Sequence, residues 1–341
     1  MLVLGDLACP NSKCADLLIK DMRKYDLFKD KIILCNLEGM IKDEEPYSDE
    51  KLFNHSKVLD AFECGKTVFS IANNHTYDYP VQIESTERLL NQKGFYCNGV
   101  DHGSIVPTIV QEGNSTYAIF THCWRVYTAT NPNNENNQNI IDCSYEQFLS
   151  IITDFINKNS NMKVVCYFHW NYDLETLPFP AYRKLAYKLV DAGVFAVIGN
   201  HAHLPQGGEL YKGRVIVYGL GNFYIPSGYF FDGKLSYPEQ SKKMMILELC
   251  EDSDEVLCHW FLTDEKECLH LIKSERFVDG EMITKYSPFR KMGEKEYLKF
   301  FKKNRVKRKL VPVFKEFQGF SYSIKEFAAI YRIKIIKKIK R

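Results

Sequence analysis

The sequence predicts an α/β protein, because two patterns alternate along most of the chain. Short apolar runs rich in β-branched residues are typical of buried strands, and the segments between them have apolar residues at helical spacing. Such alternation predicts sheets with helices packed on them. The strands are predicted at residues 1–4, 31–35, 67–72, 116–121, 163–168, 194–198, 214–218 and 243–249.

Helices are predicted at residues 81–93, 145–157 and 181–192. The second shows the pattern most clearly, with apolar residues one, three and four positions apart: Phe148, Ile151, Ile152, Phe155 and Ile156. A stripe of this kind predicts one face of a helix that packs against a sheet. Residues 130–139 include six asparagines, which predicts a polar loop to which we assign no chemistry.

The net charge of +2 conceals two regions of opposite charge. Residues 292–341 contain 16 Lys and Arg but 4 Asp and Glu, so the first 291 residues carry a net charge of −10. The strand and helix pattern also weakens from Asp264 onward. We therefore predict a domain at residues 1–263 and a C-terminal extension at residues 264–341, basic from about Lys295.

The end of the extension is predicted to be an amphipathic basic helix. Its apolar stripe comprises Ile324, Phe327, Ala328, Tyr331, Ile335 and Ile339. The basic residues off this stripe include Lys334, Lys337 and Lys338. Such a helix can adsorb to an anionic inner membrane surface, pack on the acidic body, or bind nucleic acid. The membrane is favoured, and nucleic acid is disfavoured because no known reading motif accompanies the charge.

Neither a secretory signal nor a membrane-spanning run is evident in the sequence, since Asp6 and Pro10 interrupt the start of the chain. The eleven cysteines form no Cys-x-x-Cys pair, which favours free thiols in a reducing compartment and disfavours a thiolate zinc site. We therefore expect a cytoplasmic protein, with peripheral contact at the inner membrane face as an open alternative.

Polar side chains follow five of the predicted strands. The five ends read Gly5-Asp6, Asn36-Leu37-Glu38, Asn73-Asn74-His75, His169-Trp170 and Gly199-Asn200-His201-Ala202-His203. Ligands of α/β sheets bind beyond the carboxyl ends of the strands. We therefore expect these five ends to converge on one site.

The residue types at these ends are typical of a site for divalent cations. Imidazole combined with carboxylate suits zinc, manganese or iron, whereas oxygen ligands alone would indicate magnesium or calcium. His201 and His203 are two positions apart, so in extended backbone their side chains would project to the same side. Metal binding is predicted for the strand-end histidines His75, His169, His201 and His203. An ordinary core or surface role is predicted for His55, His102, His122, His259 and His270.

Taken in order, these motifs resemble the CapA family of poly-γ-glutamate capsule synthesis proteins, which have a calcineurin-like metallophosphoesterase fold. The resemblance covers about residues 1–250 and includes Asp78 and the segment Tyr218-Gly219-Leu220-Gly221-Asn222-Phe223. It implies two stacked sheets flanked by helices. The expected architecture is therefore a four-layer α/β/β/α metallophosphoesterase-like sandwich with a basic C-terminal helical extension.

The resemblance further implies two divalent metal ions, with Mn, Zn or Fe expected. The ligands it implies are Asp6 and His203 for one ion, Asn74, His169 and His201 for the other, and Glu38 as the bridge. Two such ions can activate a nucleophile and stabilise the leaving oxygen of a phosphoryl group.

The other implied roles concern proton transfer and substrate. His75 would be the acid beside the leaving group, with Asp78 as the partner that orients it. Substrate contacts are expected from Asn73, Trp170 and Asn222.

The sequence departs from the family pattern at several positions. Ala8 stands where a typical metallophosphoesterase of the wider superfamily has a histidine, which CapA-like chains usually lack as well, and this weakens the expected first metal site. Residues 171–174 replace a Gly-x-Glu-Tyr segment, while Ala202 and Gly219 stand where the family often has Pro and Ser. These differences bear on substrate contacts more than on metal binding.

Two functions remain open. The first is a metal-dependent hydrolase of a phosphoester that acts on a surface-polymer precursor or another phosphorylated substrate in capsule or polysaccharide biosynthesis. The second is a non-catalytic binding or scaffold module of a polymer-assembly complex. Fold alone does not decide between them.

Overall fold

Two β-sheets stack face to face, and helices cover the outer face of each sheet. The computed structural model describes residues 1–43, 51–100, 102–124, 143–250, 253, 255–306, 323–325, 327–332 and 335. Within these ranges the strands are β1 (Leu2–Leu7), β2 (Ile33–Leu37), β3 (Met40–Ile41), β4 (Phe53–Asn54), β5 (Thr67–Ser70), β6 (Tyr96–Asn98), β7 (Thr108–Glu112), β8 (Ser115–His122), β9 (Lys163–His169), β10 (Ala196–Asn200), β11 (Pro205–Tyr211), β12 (Arg214–Leu220), β13 (Asn222–Tyr224), β14 (Lys243–Leu249), β15 (Val256–Thr263) and β16 (Leu269–Arg276). The helices are α1 (Ser12–Met22), α2 (Ile83–Gln92), α3 (Tyr145–Lys158), α4 (Pro180–Asp191), α5 (Glu281–Thr284) and α6 (Glu294–Asn304).

The parallel strands form one side of the first sheet and the centre of the second. The first has the order β16-β15-β14-β1-β2-β5-β6, in which β1, β2, β5 and β6 are parallel and β14 to β16 form an antiparallel side. Strand β13 pairs with the end of β1. The second has the order β11-β12-β10-β9-β8-β7, with β8, β9, β10 and β12 parallel. Apart from β6 at the sheet edge, the parallel strands are buried on both faces, which explains why the sequence shows them as continuous apolar runs.

Three layers of apolar side chains hold the sandwich together. Between the sheets, both contribute buried residues, among them Val3, Leu34, Val68, Val165, Ile198 and Val217. Helices α1 and α2 pack on the outer face of the first sheet, and α3, α4 and α6 pack on the outer face of the second. The predicted α/β/β/α sandwich is therefore confirmed. All eight predicted strands and all three predicted helices are present, with ends shifted by a few residues.

The C-terminal extension begins inside this architecture. Strand β16 pairs with β15 and so continues the first sheet beyond the division predicted at residue 263. Helix α6 buries Tyr297 and Phe301 in the apolar layer over the second sheet. The division into two domains stays a prediction, but residues 269–304 add a strand and two helices to the same sandwich.

Parts of two predictions concern residues outside the described ranges. These residues are Lys334, Lys337, Lys338 and Ile339 of the basic helix, and the asparagine-rich stretch 130–139. Within the described part of the chain, none of the helices has the length and hydropathy that a membrane-spanning segment needs.

Candidate metal centre

The carboxyl ends of parallel strands from both sheets meet at one edge of the sandwich. Asp6 lies in β1 and Glu38 directly follows β2, while His169 ends β9 of the opposite sheet. The backbone N–H of His201, which follows β10, donates a hydrogen bond to Asp6 Oδ2 at 3.1 Å. The site is therefore built across the interface between the two sheets, and the predicted convergence of strand ends is what the structure shows.

Two sets of buried side chains offer ligand atoms within 4.8 Å of one another, and they share Glu38. One set consists of Asp6, Glu38 and His203, and the other of Glu38, His169 and His201. This grouping coincides with the division into two ligand sets that the family resemblance implies. The described residues can therefore hold a metal ion in either set, with one carboxylate common to both.

Glu38 shows most directly that these residues fit a cation. Its side chain is fully buried, and neither carboxylate oxygen has a hydrogen-bond partner among the residues that the structure describes. The Nε2 atoms of His75, His169 and His203 each lie 3.8 Å from Glu38 Oε1. A buried carboxylate without hydrogen bonds costs several kcal/mol unless a charge compensates it. A cation between these donors would supply that charge.

Asn74 joins the second ligand set through its amide oxygen. Its Oδ1 lies 2.6 Å from His169 Nε2, and His201 Nδ1 lies 2.9 Å from the same nitrogen. Three donor atoms of the types that suit zinc, manganese or iron therefore face one another at the predicted positions.

His75 and Asp78 form a pair beside Glu38. His75 Nδ1 lies 2.6 Å from Asp78 Oδ2, and that oxygen also accepts a hydrogen bond from the backbone N–H of Leu52 at 2.9 Å. The His75 side chain retains 17% exposure, whereas that of His169 retains 1%. His75 therefore combines a fixed ring orientation with access to solvent.

Two asparagines at the strand ends form hydrogen bonds that hold the candidate metal ligands in place. Asn36 Nδ2 donates to Asp6 Oδ1 at 2.7 Å and lies 3.3 Å from His169 Nδ1. Asn73 Nδ2 donates to Asn36 Oδ1 at 3.2 Å, and Asn73 Oδ1 accepts from the backbone N–H of His75 at 3.0 Å. Asn36 is absent from the predicted site residues, although its place two residues before Glu38 at a strand end was a usable signal.

The three predicted substrate contacts lie deeper than expected. Asn73 is fully buried and makes the hydrogen bonds just described. Asn222 Oδ1 lies 2.8 Å from His203 Nδ1 and so orients that ring from behind. Trp170 is fully buried in the apolar layer under α3 and α4, where its indole N–H donates to the carbonyl of Tyr218. Alternation along β9 explains the difference for Trp170, because neighbouring residues of a strand point to opposite faces.

His201 and His203 do not lie in the extended backbone that we expected. Strand β10 ends at Asn200, and His201 and His203 have φ angles of 85° and 56°. Such left-handed backbone is uncommon for residues with a side chain and is often retained at functional sites. The two rings consequently fall into different ligand sets instead of projecting together.

Burial shifts the pKa values of the candidate metal ligands. It raises the pKa of the Asp6 carboxyl, and it raises the pKa of Glu38 well above its ordinary value, with the nearby Asp6 charge adding to the effect. It lowers the pKa values of His169 and His201 well below the ordinary value, and the neighbouring histidines contribute. Both imidazoles are therefore neutral, which is the form that binds metal ions.

The family of bacterial capsule synthesis proteins described as PGA_cap matches residues 15–227, which include every donor named above except Asp6. The chain belongs to this family. Among curated members, it is 26% identical over 173 residues to the capsule biosynthesis protein CapA of Bacillus anthracis. It is 32% identical over 95 residues to the PGA biosynthesis protein CapA of Bacillus subtilis. The first alignment covers 49% of this chain and 42% of that relative, and the second covers 28% and 24%. The chain therefore aligns with less than half the length of either relative.

A solved structure that resembles this member of the capsule synthesis family is the calcineurin-like phosphoesterase YfkN from Bacillus subtilis. It is 11% identical with a TM-score of 0.40, over 87% of this chain and 98% of that one. The NAD nucleotidase NadN from Haemophilus influenzae is 10% identical with a TM-score of 0.40, over 99% of this chain and 67% of that one.

At position 8, where a typical metallophosphoesterase has a histidine, this family member has a buried alanine. Ala8 packs in a small apolar cluster with Leu52, Phe53, Ile225 and Phe230. The first ligand set consequently has one imidazole, His203, against two in the second.

Proposed function

We propose that this protein is a metal-dependent hydrolase of a phosphoester in the biosynthesis of a capsule or another surface polymer. The observation that carries the proposal is Glu38, a buried carboxylate without hydrogen-bond partners among the described residues, at the centre of two ligand sets. Membership of the capsule synthesis family supports the biological setting. The substrate would be a phosphorylated compound, such as a precursor of the polymer.

Asp6 and His203 would hold one divalent ion, Asn74, His169 and His201 the other, and Glu38 would contact both. Bound there, the ions would supply Lewis-acid stabilisation of the negative charge that develops on a phosphoryl group. The protein's own contribution is to favour the neutral form of His169 and His201 and to keep the carboxylate and imidazole ligands buried and fixed. Asn36, Asn73 and Asn222 provide that fixation through the hydrogen bonds described above.

His75 would deliver the proton that the leaving group needs. Hydrolysis forms a P–O bond to water and breaks the P–O bond to the leaving oxygen, which takes a proton from His75 Nε2. The proton released by the attacking water restores the imidazolium. Because Nδ1 faces Asp78 Oδ2, Nε2 is the nitrogen directed toward Glu38 and the metal site. A positioned acid of this kind typically contributes about 10²–10⁴-fold in rate.

Metal analysis combined with hydrolysis assays tests the proposal. The wild-type protein is stripped with a chelator, reloaded with manganese, zinc or iron, and assayed on phosphomonoesters and phosphodiesters. We expect bound metal and metal-dependent hydrolysis, loss of metal in Glu38→Gln, and about a 100-fold lower kcat with unchanged metal content in His75→Gln. Glu146→Gln, at an exposed position of α3, is the matched control.

Two results would favour the scaffold function instead. One is a folded wild-type protein that binds none of the three metals and hydrolyses nothing in a broad panel. The other is a His75→Gln protein that supports polymer production in cells as well as the wild type does.

We also propose that the end of the C-terminal extension adsorbs to an anionic membrane surface. Residues 323–325, 327–332 and 335 are helical, and Ala329 is buried in the apolar layer over the second sheet. The described large apolar residues of the predicted stripe lie on the other side and are exposed: Ile324 by 52%, Phe327 by 70%, Tyr331 by 58% and Ile335 by 43%. An outward apolar stripe near the end of residues 292–341, which together carry a net charge of +12, fits a lipid surface with anionic headgroups.

Vesicle sedimentation tests the membrane proposal. We expect the full chain to bind phosphatidylglycerol vesicles but not phosphatidylcholine vesicles, and the variant F327E/Y331E to lose about tenfold in binding. Val106→Glu, at an exposed apolar position elsewhere, should bind as the wild type does. Equal binding by the wild type and the double variant would contradict the proposal, and retention on DNA in place of vesicles would favour nucleic acid.

A further inference from the structure

One loop places two aromatic side chains against histidines of the metal centre. The loop runs from residue 225 to residue 238, between β13 and the turn that precedes β14. The ring centroid of Tyr237 lies 4.8 Å from that of His203, and the ring centroid of Phe231 lies 6.4 Å from that of His75. We call Phe231 and Tyr237 the aromatic wall.

The aromatic wall is held in place by the loop's own packing. Phe230 is buried, with its ring centroid 5.3 Å from that of Phe53, and it anchors the loop in the small cluster that contains Ala8. Three backbone hydrogen bonds close the loop on itself, from Gly228 N–H to Leu235 O, from Lys234 N–H to Phe231 O and from Leu235 N–H to Phe230 O. The two rings are therefore preorganised.

The loop maintains uncommon backbone geometry to present these rings. Phe231 and Asp232 have φ angles of 54° and 55°. Left-handed backbone at a bulky residue such as Phe231 costs roughly 1 kcal/mol or more, and it persists where the surroundings impose it, often at functional sites. The strained residue, Phe231, is the one whose ring packs near His75.

Both rings of the wall are partly exposed, unlike the buried aromatic residues that pack the sandwich. They pack at the edge of the small cluster together with Tyr79. Partly exposed aromatic faces next to polar catalytic groups are typical of pockets that bind the flat or apolar face of a ligand. His75 is the proposed donor to the leaving oxygen, so a leaving group attached to that oxygen would extend past Phe231.

From this arrangement we infer that the aromatic wall binds the leaving group, and that the substrate is a phosphoester of a ring-bearing alcohol. A sugar ring presents a face of C–H groups and a nucleoside presents a planar base, so both share the chemistry that stacks on Phe231 and Tyr237. This inference rests on the proposed function, because it assigns the substrate class of the same site.

Tyr237 adds a polar function to the wall. Its hydroxyl group lies on a ring that contacts His203 and can donate a hydrogen bond to a substrate oxygen. Tyr237→Phe would retain the ring face and remove this donor, so the two contributions can be measured separately.

A substrate comparison in the metal-loaded protein tests the wall. The probes are a hexose phosphate, a nucleoside 5′-monophosphate and glycerol phosphate, whose leaving group has no ring. We expect Phe231→Leu and Tyr237→Leu to lower kcat/KM about tenfold for a ring-bearing probe and less than twofold for glycerol phosphate. Tyr229→Leu, at an exposed position of the same loop, should change neither value. A greater loss of kcat/KM for the hexose phosphate would indicate that the wall binds a sugar, and a greater loss for the nucleoside 5′-monophosphate would indicate that it binds a base.

A binding measurement separates failure of the wall from failure of the hydrolase proposal. Saturation-transfer NMR on the metal-free protein reports contact between the ring protons of each probe and the protein without any turnover. We expect transfer to sugar or base protons in the wild type and its loss in the double variant F231L/Y237L. Absence of transfer in the wild type, or equal losses of kcat/KM for ring-bearing and ring-free probes, would overturn the wall. A wild type that binds the rings but hydrolyses none of the probes would overturn the hydrolase alone.

Discussion

Asn36 hydrogen-bonds to Asp6, and its side chain connects the two ligand sets. The Asn36 amide nitrogen donates to Asp6 Oδ1 at 2.7 Å and lies 3.3 Å from Nδ1 of His169, so one side chain contacts a donor of each set. Asn73 in turn donates to the Asn36 amide oxygen. The spacing of the two sets consequently depends on a residue that would contact neither ion.

Replacing Asn36 should weaken metal binding at both ligand sets. In Asn36→Leu the side-chain volume is nearly retained while the hydrogen bonds to Asp6 and Asn73 are lost. We expect metal affinity about 10–100-fold below the wild type, the range typical for partners that orient ligands, measured by competition with a fluorescent chelator. The exposed Asn91→Leu is the control, and unchanged affinity in Asn36→Leu would exclude the positioning role.

Gly199 allows β10 to pass close to Trp170. A Cβ at this position would lie 1.9 Å from Trp170 Nε1 and 2.4 Å from the carbonyl oxygen of Tyr218. We expect Gly199→Ala to lower the free energy of unfolding by about 1–3 kcal/mol or more, and to weaken metal binding by displacing His201. Urea unfolding followed by circular dichroism measures the first effect. Gly293→Ala, where a Cβ meets open space, should cost less than about 1 kcal/mol.

The pair Arg183 and Glu209 fastens the C-terminal extension to the second sheet. Two nitrogens of the Arg183 guanidinium donate to the Glu209 carboxylate at 2.8 and 2.7 Å, and the guanidinium also donates to the carbonyls of Met292 and Phe289. Arg183→Met leaves a buried carboxylate unpaired, so we expect a loss of about 3–5 kcal/mol. Hydrogen exchange should rise first in α6. If α6 remained protected while the rest of the chain opened, its dependence on Arg183 would be rejected.

Glu248 should make the free energy of unfolding depend on pH in the acidic range. Its hydrogen bond with His259 lowers its pKa from 4.5 to about 2, and Lys31 contributes. Because the folded pKa is below the unfolded value, the stabilisation is fully present above about pH 4.5 and declines as the pH falls toward about 2. In Glu248→Gln, we expect the deficit in unfolding free energy to be largest at neutral pH and to shrink across this window. Glu239→Gln, an exposed site, should show a small deficit at neutral pH, under about 1 kcal/mol. A Glu248→Gln deficit that stayed constant with pH would contradict the assignment.

Much of the site could be predicted because its donors lie at strand ends, where the topology of parallel sheets brings them together. Asp6, Glu38 and His169 each follow a short apolar run that the sequence shows plainly. The positions of Phe231 and Tyr237 could not be predicted in this way. They belong to a loop without periodic pattern, and their positions depend on the packing of Phe230 in the small cluster that contains Ala8.

The burial of Trp170 has a different physical origin. A residue next to a ligand in sequence points away from the ligand when both belong to one strand. Tyr167 of β9 lies between the sheets, whereas Phe168 of β9 and Trp170, which directly follows the strand, lie under the helices. The alternation was visible in the sequence, and it would have assigned Trp170 to the core.

Because the donors come from strands of both sheets, the centre exists only while the sheets remain stacked. A cation that binds there would bind the folded chain and not the unfolded one, and each tenfold excess of free ion over its Kd would raise the unfolding free energy by about 1.4 kcal/mol. The melting temperature would then follow the concentration of available metal. Resistance to unfolding would thus report the metal supply of the surrounding compartment.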